Sequence, residues 1–476
     1  AEDAAKIPFP ENPTLKKNGA YKLIGNSVKR VDAVAKSNGT AKFGIDIRLP
    51  GMLYAVVSRP PIPGATLGKV DEKAARNVPG VVDVVKFNDR IAVLAKNTHA
   101  AKKGRDALAA EWKIASNLQL SSAGIMQGLK DAAPKGINVD ERGNVEEAGK
   151  KAARFIEAEY EFPFLAHACM EPMNCTVNFD GQTAEFWGGH QMPTLDRMAA
   201  AKVLGIAEDK VTINTTYAGG SFGRRAAKDS DYVVEGAALA KIVKKPLKIT
   251  WTREDDMHGG MYRPMNFHRA RIGLDEKGRA ISWQHEIAGQ SIMAGGPMEA
   301  MIKEGKEPVV TEGVSETKYA LPNFRVLQAR VPSPITTLWW RSVGHTHTAF
   351  AMETLIDELA EAAKVDPMAF RKKLLAKEAR HLAVLNLLQK ESGWGTRKPP
   401  KGRAWGLAIH ESFASVVGQV AEVSIENGRP RVHKVWAVGH IGQVVNPDGA
   451  KTQMEGGIGF GLSALHQGIT FEAGQV

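Results

Sequence analysis

The sequence predicts an α+β fold built from more than one domain, and three observations carry that expectation. The chain has 476 residues, too many for one hydrophobic core, so roughly two to four domains are expected. Short runs rich in β-branched residues recur along it, bounded by turn residues. Between those runs lie segments whose apolar positions have helical spacing.

Residues 1–20 are polar and include Pro8, Pro10 and Pro13, which reads as an extended arm or linker. Residues 21–115 form a mixed α/β unit. AKFGIDIRL, MLYAVVSR, VVDVVKF and IAVLA have strand character, and residues 70–78 and 99–112 have helical spacing. In HAAKKGRDALAAEW the apolar residues Ala101, Leu108 and Trp112 share a face. Residues 116–150 are polar and rich in Gly, Asn, Lys and Glu, with one weak helix near 122–132; they read as a connecting segment. Residues 151–476 form a larger α+β region. ARFIEAEYEF, TVNF, AEFWG, PLKITWT, ARIGLD and AISWQHEI read as strands, and Thr194 is placed to cap the helix LDRMAAAKVLG. Residues 346–364 read as a long helix. Asp366-Pro367 supply an N-cap and a first-turn proline for the next one. VAEVSIENGRPRVHKVWAVG is a hairpin about Asn427-Gly428. The final HQGITFEAGQV reads as a strand, a turn and the start of a returning strand, so a further C-terminal portion is expected.

The composition is that of a soluble globular protein, with 43% hydrophobic and 24% charged residues. No apolar run reaches the length of a membrane span. The net charge of +11 points to anionic partners or substrates. The basic residues are scattered and no nucleic-acid-binding spacing appears, so nucleic acid is not expected as a partner. The two cysteines, Cys169 and Cys175, are too few for a thiolate-held iron–sulfur cluster and read as buried thiols.

The stretch YAGGSFGRRAAKD, residues 217–229, places Gly219, Gly220, Ser221, Phe222 and Gly223 between a strand and a helical pattern. Such a turn can hold an anion on free N–H groups, although the spacing matches neither a P-loop nor a dinucleotide fingerprint. Arg224 and Arg225 read as an exposed pair. In TTLWWRSVGHTHTAF, two tryptophans precede Arg341, and a guanidinium stacked on an indole is the plain reading. His345 and His347 lack a further ligand in known spacing, so a metal site is not expected there. His167 and Cys169 would share a strand face in an apolar setting that reads as core. Gln191 follows the strand AEFWG, Phe413 lies at a strand in HESF, and Gln453 opens a small-residue helix whose Gly457 and Gly461 permit close packing.

Together these segments resemble the large, molybdopterin-binding subunit of the xanthine dehydrogenase and aldehyde oxidase family, in order and over almost the whole chain. LIGNSVKRVDAVAKSNGTAKFGIDIRLPGMLYAVVSRPPIPGA resembles that family's hammerhead α/β domain, and HACMEPMNCTV the segment leading into its molybdopterin-binding α+β domains. Gln191 stands 31 residues before Phe222, as does the family's glutamine before its G-G-x-F-G loop. Arg341 falls on the R-G-F-G arginine. LWWRSVGH, IHESFASVVGQVAEV and VNPDGAKTQMEGGIGFG resemble the isoquinoline 1-oxidoreductase β-subunit group, a rearranged subfamily that includes membrane-associated aldehyde dehydrogenases. In that group the M-G-Q-G cofactor segment lies near the N-terminus, so it is expected upstream of Ala1.

The resemblance implies an enzyme that uses water to oxidise an aldehyde to a carboxylate, or to hydroxylate an N-heteroaromatic ring next to nitrogen. It implies a molybdopterin cofactor in the cytosine dinucleotide form, with molybdenum held through the pterin rather than by protein ligands. Gln191 and the N–H groups of Phe222 and Gly223 would donate to an oxygen of the metal, with Gly219, Gly220 and Ser221 shaping the approach. Arg341 and Gln453 would hold the pterin or its phosphate. Val343, Ala226 and Phe413 would line the substrate pocket. Val343 stands where xanthine-type enzymes have a phenylalanine, and Ala226 where purine oxidisers have an acidic residue, which argues against xanthine. The family's catalytic glutamate has no counterpart here and is expected beyond Val476; Glu171, Glu411 and Glu455 are not nominated in its place. The expected partners are a small subunit carrying two [2Fe–2S] clusters, a c-type cytochrome, and further segments of the same large subunit, in the periplasm or at the periplasmic face of the inner membrane. A non-catalytic fragment or scaffold of such an enzyme, and an unrelated anion-binding protein, remain alternatives.

Overall fold

The computed structural model describes residues 2–9, 11–17, 19–118 and 120–476; Pro10, one of the prolines in the predicted arm, lies outside them. Among the described residues four sheets organise the fold. The largest has seven strands in the order Val211–Thr215, Ala184–Gly188, Asn174–Phe179, Leu247–Thr250, Leu53–Ser58, Arg90–Ala95 and Val81–Phe87. Its centre is a parallel pairing of Leu53 with Leu247, so strands from residues 21–115 and from 151–476 share one sheet across the boundary expected at 115. The helices Pro193–Leu204 and Asp231–Val243 cover it, burying Leu204, Tyr232, Val233 and Leu239 against Val177, Phe186 and Ile249.

A five-stranded sheet runs Ile137–Arg142, Phe324–Arg330, Ala280–Gly289, Asn266–Leu274 and Arg154–Phe162. The long helix His345–Ala362 packs Met352, Leu355, Ile356 and Leu359 into the core containing Ile272, Trp283 and Phe324. The same core takes in Leu407, Ile409, Val416 and Val420 from a three-stranded sheet, Ala404–Ser412, Ser415–Glu426 and Arg429–His440. Asp366 caps its helix as expected, accepting from Ala369 N at 3.0 Å. Asn427 and Gly428 both have positive φ, 52° and 74°, as the tight hairpin turn requires.

Several expectations are corrected. Residues 41–49 form a 3-10 turn, Gly44–Asp46, rather than a strand. Side chains replace the ladder there: Ile45 N donates to Glu171 Oε1 at 3.0 Å, and Lys248 Nζ donates to Ile45 O at 2.6 Å. The helix predicted over 99–112 stops at Asp106, because Ala109–Lys113 is captured as a strand by Thr66–Asp71. The helix at 193 has Met192 at its N-cap and Pro193 in its first turn, so Thr194 caps nothing. The segment 116–150 is more than a connector, since Ile137–Arg142 is an edge strand of the five-stranded sheet. Gln453 lies inside the helix Pro447–His466 rather than opening it. Phe413 sits in the two-residue turn between strands, with φ 46°.

Candidate functional site

The glycine loop leaves the edge of the seven-stranded sheet after Val211–Thr215, and the Trp339–His345 segment enters the long helix on the other core. The site forms where these two meet: Arg341 N donates to Phe222 O at 2.8 Å, and His167 Nε2 lies 3.0 Å from Trp339 O. Burial pushes His167 down to about 3, so its neutral ring donates to that carbonyl.

Three buried side chains set the loop. Glu171 accepts Gly219 N–H at 2.7 Å and Asn174 Nδ2–H at 2.9 Å. Arg225 reaches Gly220 O at 3.0 Å and Glu171 O at 2.9 Å. Cys169 donates to Ser221 O at 3.2 Å, and burial raises its thiol to about 12, so it stays protonated. Arg224 is paired with Asp231 at 3.0 Å and 2.6 Å. The two arginines are therefore buried scaffold, 2% and 0% exposed, and the expectation of an exposed pair is corrected. A Cβ on Gly219 would lie 2.5 Å from Glu171 Cβ, and one on Gly223 would lie 2.3 Å from Trp339 O; the glycines are required by these close approaches.

The loop keeps donors free. Among the described residues, the N–H groups of Gly220, Ser221, Phe222 and Gly223 have no protein acceptor. Ser221 Oγ donates to Gln191 Oε1, which leaves the Gln191 amide NH2 as the end available to a ligand. The structure thus brings Gln191 to the loop, as the sequence implied. Phe222 stacks on Phe460 at 4.5 Å between ring centroids, and Phe460 on Trp340 at 4.2 Å. Arg341 lies over Phe460, 5.5 Å from its centroid, so the stacking expected on tryptophan occurs on phenylalanine.

Beside this stack is a cavity of about 820 Å3 that contains Arg341 and Gln453, with Arg341 Nη2 3.5 Å from Gln453 Oε1. Gly457 and Gly461 line it, and the helix they lie on buries none of its residues; they open the cavity rather than pack helices. Arg263 and Thr346 also line it, and sequence reasoning missed both. Arg263 is 5% exposed, its guanidinium donates only to Pro163 O among the described residues, and its Nε is orphaned. Burial lowers it to about 9, still charged at neutral pH. Thr346 Oγ is likewise unpartnered. A buried cation without a carboxylate is costly, and a ligand anion is its natural complement. Phe222 in the loop and Ser342 and Val343 just after Arg341 are left-handed non-glycine residues, with φ of 56°, 75° and 54°. Strain of this kind gathers where function fixes the backbone.

The other named residues lie apart. Ala226 is buried beneath the loop, Val343 borders a small void beside His347, and Phe413 is 73% exposed at a different cavity. His345 and His347 diverge: His345 Nδ1 meets His410 Nε2 at 2.8 Å, and His347 Nδ1 meets His268 Nε2 at 2.8 Å. Glu411 is tied to Arg380 at 3.3 Å, and the Glu171 carboxylate is consumed by the loop.

Free loop amides with the Gln191 amide, joined through the Phe222–Phe460–Trp340 rings to a large cavity lined by two arginines and an orphaned hydroxyl, define a cradle for a large anionic cofactor. The family profile described as molybdopterin cofactor-binding domain matches residues 129–375, and the chain belongs to that family. It is 31% identical over 470 residues to the isoquinoline 1-oxidoreductase subunit beta of Brevundimonas diminuta, covering 94% of this chain and 59% of that protein. It is 30% identical over 503 residues to the membrane-bound aldehyde dehydrogenase [pyrroloquinoline-quinone] of Gluconacetobacter polyoxogenes, covering 98% and 64%. In fold it is similar to quinoline 2-oxidoreductase from Pseudomonas putida 86, with TM-score 0.66, 18% identity, and 84% of this chain matched to 58% of that one. The chain thus spans about three fifths of the length of these relatives. The molybdopterin cofactor fits the donors present.

Proposed function

We propose that this chain forms the cofactor-holding part of a molybdenum hydroxylase that oxidises an aldehyde to a carboxylate or hydroxylates an N-heteroaromatic ring next to nitrogen. The observation that carries this reading is the orphaned, buried Arg263 in the same cavity as Arg341, Thr346 and Gln453, beside four free loop amides. The cofactor, when bound, supplies the oxygen-transfer and two-electron chemistry. The chain's own residues hold and shield it. Arg263 and Arg341 neutralise its phosphate, with Thr346 and Gln453 as hydrogen-bonding partners. The Gln191 amide and the N–H groups of Phe222 and Gly223 would donate hydrogen bonds to the reactive end of the bound cofactor. Phe222, Phe460 and Trp340 would exclude water there.

We assign the cytosine dinucleotide form, electron transfer to a small subunit with two [2Fe–2S] clusters, a c-type cytochrome acceptor and a periplasmic setting to the same proposal. In support of a separate electron carrier, both cysteines of this chain are buried and free. Among the described residues no helix is long and apolar enough to cross a membrane. The holoenzyme should be assayed with benzaldehyde and with isoquinoline, in isotopically labelled water and with an artificial electron acceptor. Label in the oxidised product is the expected result, with turnover lost in Gln191→Ala. Turnover without label, or none with any aldehyde or N-heterocycle, rejects the proposal.

A further inference from the structure

A second cavity, of about 350 Å3, lies between His345 at the start of the long helix, the segment from Glu312 to Tyr319, and the end of the strand Ala404–Ser412. Its floor is apolar, because Met352, Leu375 and Ile409 belong to the main core. Its polar wall mostly accepts hydrogen bonds. Glu312 holds Gly344 N–H at 2.7 Å and Glu316 holds Gly313 N–H at 2.8 Å. Among the described residues neither forms an ion pair with a lysine or arginine. The other two carboxyls are already committed, Glu353 to Arg371 at 2.9 Å and Glu411 to Arg380 at 3.3 Å. Lys318 is the cation in the lining, and it is exposed.

Three imidazoles complete the wall. Burial lowers His345, His381 and His410, the last to about 3, so each is neutral; His345 and His410 share one hydrogen bond at 2.8 Å, which leaves that pair one free accepting nitrogen. His381 lines the cavity, with its Nε2 3.6 Å from Glu411 Oε2. Phe413 stands at the rim, held out by left-handed turn residues with φ 46° and, at Ala414, 59°. Its ring centroid is 5.9 Å from that of His345. Among the described residues no group of three His, Cys, Asp or Glu side chains is arranged to hold a metal ion. The complement of this wall is therefore organic: flat enough to lie on Phe413, positively charged, and rich in N–H donors.

We propose that this cavity binds a planar organic cation bearing N–H donors, such as an aryl amidinium or a protonated ring nitrogen. The inference does not rest on the proposed function. The cavity is built from this chain's side chains, so its test needs no cofactor and can fail separately.

The test is calorimetric titration of the purified protein at pH 8, where the Glu312 carboxyl, raised by burial to about 7, is ionised, with benzamidine, with its neutral near-isostere benzamide, and with the anion benzoate. Benzamidine is expected to bind about tenfold more tightly than benzamide, the difference made by one charge-assisted contact, and benzoate is expected not to bind. Glu312→Gln and Glu316→Gln are each expected to weaken benzamidine about tenfold and to leave benzamide unchanged. Glu312 also holds Gly344, so Glu316→Gln, at an exposed side chain, decides the matter if the first variant does not fold. Equal affinity for benzamide and benzamidine, binding of benzoate, no binding of benzamidine, or an unchanged benzamidine affinity in Glu316→Gln would overturn the proposal.

Discussion

A guanidinium buried without a carboxylate lowers the stability of the bare chain, and Arg263 is in that position. Replacing it with a methionine of similar length removes the desolvation cost. Arg263→Met should therefore stabilise the cofactor-free protein by about 1–4 kcal/mol, measured by urea unfolding; pyrophosphate is expected to stabilise the wild type and not the variant. A destabilised variant that still responds to pyrophosphate would count against Arg263 as the anion anchor. Gly223 carries a different constraint: its φ is 111° and a Cβ would meet Trp339 O. Gly223→Ala should cost about 2–4 kcal/mol, and the same denaturation experiment reads it.

The segment from Trp340 to His345 is the element on which the site turns, since it joins the glycine loop to the long helix. Glu312 clamps it through Gly344, and burial raises that carboxyl to about 7 from the ordinary 4.5. A carboxyl with a raised folded-state value costs stability as it is forced to ionise. Its contribution is favourable at acid pH and is lost as pH rises from about 4.5 through about 7. Glu312→Gln should accordingly gain stability relative to wild type between pH 5 and pH 8, which melting curves at the two pH values would show; a pH-independent difference would mean that the clamp does not titrate. Much at this scale was legible in the sequence. Asp366-Pro367 and Asn427-Gly428 act as read, because caps and turns are local. The strand 109–113 was not legible, because its partner strand overrides a helical pattern. Arg263 was hidden for a similar reason: MYRPMNF carries no motif, and burial without a partner exists only in the folded chain. Phe460 had a signal, since it lies seven residues after Gln453 on one helix and so on the same face.

In the whole molecule the glycine loop and the Arg341 segment meet where two cores join, one around the seven-stranded sheet and one around the five-stranded sheet. The glycine loop comes from the first and Arg341 from the second, so neither core alone makes the site. The molybdopterin-binding profile begins at residue 129, yet the seven-stranded sheet also needs Leu53–Ser58 and Arg90–Ala95. Deleting residues 21–115 should therefore remove cofactor retention along with the sheet, a change visible by circular dichroism. The most direct measurement is the molybdenum content of the natively purified protein, wild type beside Arg263→Met, with circular dichroism to confirm that both are folded. About one molybdenum per wild-type chain is expected, falling severalfold in a folded Arg263→Met, as loss of a charge-assisted phosphate contact implies. A wild-type protein without molybdenum, or a folded variant that retains all of it, would contradict the account.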